Sequence, residues 1–111
     1  MDENEIIKAF DMMWGKYIEP VVLIRRNFNV VALNDAAKSL GMLTGVKCNA
    51  KNPEAHKGCK ATEALRTNST QISKDYISGS EWTSFWIPVS GHPDYYVHFA
   101  NGINEYLKNS K

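Results

Sequence analysis

The stretch PVVLIRRNFNVVALNDAAKSLG, residues 20–41, holds the pattern that decides the fold. Two β-branched runs, one beginning at Val21 and one at Val30, flank Asn27-Phe28-Asn29. Apolar runs around a short turn containing Asn predict a β-hairpin. The period then changes. Asn34 or Asp35 can cap a short helix by accepting from its free N–H groups. Ala36, Ala37 and Leu40 face inward, and Gly41 suits the end of that helix.

Upstream, the spacing predicts a helix over residues 3–18. Ile6, Phe10, Met13, Trp14 and Tyr17 recur at intervals of three and four, which makes one apolar stripe. Asp2 with Glu5 three residues on matches a capping box. Gly15 weakens the last turn and Pro20 ends the helix. Downstream, residues 42–58 carry turn residues and little periodicity. CKATEALRTN reads as a short helix with Ala61, Ala64 and Leu65 on one side. STQISKDYIS, EWTSFWIPV and DYYVHFANGI then read as strands, punctuated by SGS and SGHP, which predicts an antiparallel meander. The expected class is therefore α+β, with a five-stranded antiparallel sheet, short helices on one face and an N-terminal helix.

Composition narrows the function. The 111 residues suffice for one domain with a single core. Thirteen basic against 12 acidic side chains give a net charge of +1, which argues against a nucleic-acid or membrane-surface partner. No apolar run approaches the ~20 residues that span a bilayer. The acidic N-terminus lacks the basic-then-apolar order of a secretory signal, so a cytoplasmic protein with reduced thiols is expected.

Residues 20–41 also resemble the opening of a PAS sensory domain: a strand, a tight turn, a second strand ending in Asn, then a short helix of small residues closed by Gly. Asn34, Ala36, Ala37, Leu40 and Gly41 carry that match. YYVHFANGINEYLK, residues 95–108, resembles the last PAS strand running into its output helix. Gly102-Ile103-Asn104-Glu105 stands where many members have an Asp-Ile-Thr-Glu-type junction. GVKC, HKGC and EAL are similar to a subgroup with a Gly-x-x-Cys segment and a Cys-x-x-Cys before that helix. Gly45, Cys48, Gly58, Cys59, Glu63, Ala64 and Leu65 fit it, with His56 in place of one Cys and a shorter loop. The resemblance divides the chain into a helix over 1–19, a PAS-like domain over 20–104 and a tail over 105–111. It implies sensing of a small ligand or partner and relay through the terminal helices, not catalysis. It also implies either a piece of a larger signalling protein or a stand-alone sensor.

The chemistry-bearing residues fall into two groups. Cys48, His56 and Cys59 are one ligand short of a closed zinc site, so they read as metal ligands, a redox pair, or two small buried thiols beside a solvated His. His92, Glu54 or water could complete the set. If the junction aligns as proposed, alternation turns Tyr96, His98 and Ala100 inward, with Tyr95, Val97 and Phe99 on the outer face. The same rule puts Trp82 and Trp86 on one face of their strand and Phe85 on the other. A ligand site bordered by Leu40, Leu65, Trp86, Tyr96 and His98 is expected, with no cofactor identified. No His or Met on ATEALRTN offers a haem ligand, and the flavin-adduct cysteine motif of the family is absent. The apolar stripe of the N-terminal helix, centred on Phe10, leads us to expect a homodimer.

Overall fold

The computed structural model describes residues 2–45, 60–77 and 80–102. In chain order the elements are α1 (Glu3–Trp14), β1 (Val21–Arg25), β2 (Val30–Leu33), α2 (Asp35–Ser39), α3 (Ala61–Thr67), β3 (Gln71–Ile77), β4 (Ser80–Val89) and β5 (His92–Asn101). The five strands form one sheet in the order β2-β1-β5-β4-β3, antiparallel throughout. Two hairpins, β1–β2 and β3–β4–β5, therefore meet where β1 pairs with β5.

The hairpin turn at 27–29 places Phe28 at φ 70°, a left-handed conformation unusual for an aromatic residue. Its ring packs on the inner apolar cluster, which offsets the backbone cost. The side chain of Asn34 caps α2 through the N–H of Ala37, and Gly41, at φ 82°, follows its last turn. Asn68 ends α3 in the left-handed conformation that Asn tolerates better than other side chains.

Each face of the sheet has its own core. On the inner face, Val22, Ile24, Val30, Leu33, Trp86 and Tyr96 meet Ala37 of α2 and Ala61, Ala64 and Leu65 of α3. Small residues on both helices let them approach the sheet closely. On the outer face, Ile6 and Phe10 of α1 cover Val21, Leu23, Ala32, Val97 and Phe99. The predicted register of β5 holds: Tyr96 is inward, Val97 and Phe99 outward.

The helix α1 is shorter than its periodicity predicts. It stops at Trp14 instead of running to residue 18. The reason lies elsewhere in the chain. The amide of Asn34 donates to the carbonyls of Trp14, Tyr17 and Glu19, so these groups find a partner outside the helix. At the other end the capping box of Asp2 and Glu5 forms as the sequence predicts. Of the stripe, Ile6 and Phe10 are buried, Trp14 and Tyr17 half-buried, and Met13 is 77% exposed. Phe10, proposed as the centre of a dimer contact, is instead seated under its own helix.

Candidate functional site

The inner face brings most of the expected ligand residues together. Trp86 and His98 are register partners on β4 and β5. Their rings stack with centroids 4.8 Å apart and planes 16° from parallel. Nδ1 of His98 donates to the carbonyl of Phe85 at 2.8 Å, which fixes the imidazole against the strand. Tyr96 lies one inward position along β5, and Leu65 of α3 packs in the same cluster. Leu40 does not join them. It follows α2 with 48% of its surface exposed, outside the inner cluster.

Trp86 carries an unusual polar atom. The residue is 5% exposed, yet its indole Nε1–H is buried without a hydrogen-bond acceptor among the described residues. Burial of an unsatisfied donor costs roughly 1–3 kcal/mol. An acceptor brought to that nitrogen would recover this cost. The inner face thus offers a flat aromatic pair and one donor in need of an acceptor.

A second arrangement ties the two ends of the domain. Both carboxylate oxygens of Glu19, itself buried, accept from the N–H of Gly102 at 3.1 Å. The Tyr17 hydroxyl donates to Oδ1 of Asn101 at 2.8 Å. The segment before β1 and the end of β5 are thereby held side by side. Gly102 is required there. Its φ is 109°, and a Cβ would lie 2.3 Å from the carbonyl oxygen of Glu81. The residue that departs from the family junction makes its own junction contact.

The far end of α1 is held by charge. The Glu3 carboxylate accepts from Nε and Nη2 of Arg25 and, at 2.8 Å, from the Tyr95 hydroxyl. The Arg25 guanidinium, with the Tyr95 hydroxyl, holds the Glu3 carboxyl below its usual range. Burial, with the neighbouring Glu3, pushes the Tyr95 phenol up.

The Cys48, His56 and Cys59 set lies outside the described residues. Among the described residues no group of three or more His, Cys, Asp or Glu side chains is placed to share a metal. None of the described helices is long and apolar enough to cross a membrane. The ties made by Asn34, Glu19 and Gly102 were missed as functional candidates. The one available signal was Asn34, whose cap role hid its reach toward α1.

No protein-family model and no curated protein matches the chain. Solved structures do. A sensory box sensor histidine kinase from Vibrio cholerae superposes with a TM-score of 0.63 at 14% identity, over 90% of this chain and 93% of that one. A domain of an HTR-like protein from Haloarcula marismortui gives 0.57 at 21% identity, over 73% and 93%. The PAS domain of BvgS from Bordetella pertussis gives 0.54 at 13% identity, over 96% and 92%. The fold is that of a PAS domain, as the pattern of residues 20–41 led us to expect.

Proposed function

We propose that this chain is a sensory domain that binds a small molecule on the inner face of its sheet and relays occupancy to the segments flanking the fold. The observation that carries this reading is the Trp86 indole, buried with an unused donor and stacked on a fixed His98. A ligand that stacks in this region and presents a carbonyl, carboxylate or ring-nitrogen acceptor to Nε1 gains that donor at little cost, because the indole N–H is already buried. Leu65 and Tyr96 belong to the same cluster.

The relay runs through β5. His98, on the inner face, lies three residues from Asn101, whose side chain holds Tyr17, and four from Gly102, which holds Glu19. A ligand shifts populations only if it binds two states unequally. The two states proposed here differ in whether the junction of Tyr17, Glu19, Asn101 and Gly102 is closed. The domain acts as part of a larger signalling protein and pairs with a second copy through α1. The sensor histidine kinase among its structural neighbours is consistent with such a setting.

Native mass spectrometry of freshly purified protein tests the reading. The expected result is a retained small molecule in the wild type that is lost in Trp86→Phe, a variant that keeps an aromatic ring but removes the donor. A wild type that retains nothing, and whose tryptophan fluorescence no small-molecule library perturbs, would sink it.

A further inference from the structure

A cavity of about 520 Å³ lies on the outer face, between α1 and the β4–β5 hairpin. Its volume falls within the range of small-molecule sites. The floor is a cross-strand row, Leu23 of β1, Val97 of β5 and Ile87 of β4, which are register partners. The wall is α1, from Ile6 to Trp14, about 12 Å of helix. The space exists because Ala9 stands on the cavity side of α1 between Ile6 and Met13, where a larger side chain would fill it.

The helix cannot settle to close this space. One end is held by Glu3 on Arg25 and Tyr95, the other by Asn34 on the carbonyls after Trp14. The apolar walls offer water few partners, so water there is poorly held. Polar groups gather at one end. Ser90 and His92 of the hairpin line the cavity. No Lys or Arg is among its described lining residues, so a carboxylate head would lose its hydration there without gaining a cationic partner.

We propose that this cavity binds an uncharged single-chain amphiphile of medium length. The chain lies along α1 over Leu23, Val97 and Ile87, and a hydroxyl or carbonyl head meets Ser90 and His92. The site is separate from the inner face, on the opposite side of the sheet.

The probes are 1-octanol and octanoate, followed by the methyl NMR signals of Ile6, Ile87 and Val97. Octanol is expected to shift these signals saturably at one site per chain, and octanoate to bind at least tenfold more weakly. Ala9→Leu fills the space; it should weaken octanol at least tenfold with no loss of thermal stability. Trp86→Phe should leave octanol binding within twofold. Several results would overturn the proposal: no saturable shift up to the solubility limit of octanol, equal binding of octanoate, or a wild-type affinity in Ala9→Leu. Octanol binding lost in Trp86→Phe but kept in Ala9→Leu would place the molecule on the inner face, which refutes this site and leaves the sensor reading intact. Binding that falls as protein concentration rises, in step with dimer formation, would assign the cavity to a second copy and also refutes it.

Discussion

The Asn34 side chain makes five hydrogen bonds to three separate segments. Its oxygen accepts from Val21 and Ala37, and its two amide hydrogens are shared among the carbonyls of Glu19 at 2.9 Å, Tyr17 at 3.2 Å and Trp14 at 3.3 Å. It is 1% exposed, so water cannot take over these roles. Asn34→Ala should therefore cost roughly 3 kcal/mol or more, as several buried backbone groups lose partners at once. Urea denaturation measures this, and a loss under about 1 kcal/mol would contradict the hub. Gly102→Ala combines a strained φ with a contact against Glu81, so a loss of about 2 kcal/mol or more is expected from the same measurement. Glu3 predicts a pH effect. Its folded carboxyl titrates below its unfolded value, so its stabilisation is complete above the usual carboxylate range and is lost as pH falls through the lowered folded value. The melting-temperature gap between wild type and Glu3→Gln should be constant near neutrality and shrink below about pH 4. A gap that persists unchanged to pH 2 would show that the ion pair is not its source.

Elements were legible in the sequence to different degrees, for physical reasons. The β1–β2 hairpin and α2 follow from local signals: β-branched runs, an Asn-rich turn, a cap and a closing Gly. The last two strands follow from alternation, which also set the inward register of Tyr96 and His98. The end of α1 was legible only in part: Gly15, read as weakening the last turn, is its C-cap, while the hold of Asn34, twenty residues away from Trp14, was not. Leu40 looked like an inward helix residue, but α2 ends at Ser39 and Leu40 turns outward. The orphan donor of Trp86 follows from packing alone, which no spacing encodes. The exposed side of α1 makes a further prediction. Phe10 is already buried, so the surface available to a second copy is the exposed Met12 and Met13, with Ile72 and Tyr76 on the uncovered side of β3. Sedimentation should give a wild-type dimer that Met12→Glu weakens at least tenfold. A wild type that remains monomeric at high micromolar concentration rules out the pairing.

At the scale of the whole molecule, the sheet separates two apolar layers that differ in how they are closed. Among the described helices, the inner layer lies under α2 and α3 and the outer under α1. The two layers share β1 and β5, the central strands. His98 on one side and Phe99 on the other are adjacent residues of β5, and Phe99 packs against Trp14. The Trp14 ring packs on Phe99 with centroids 5.2 Å apart and planes tilted by 41°, which makes its fluorescence a reporter of the outer layer.

The attachment of α1 to Asn34 has a kinetic consequence. The carbonyls of Tyr17 and Glu19, just beyond the helix, meet the Asn34 amide only once β2 is in place, and the apolar face of the helix finds its floor only once β1 has paired with β5. Helix α1 should thus dock after the rate-limiting step of folding. Substitutions on its own buried face, such as Phe10→Leu, should raise the unfolding rate and leave the refolding rate nearly unchanged, giving φ-values near zero, whereas Leu23→Ala in β1 should slow refolding. The element that closes the outer layer would then also be the first to leave, detaching from a sheet that remains folded.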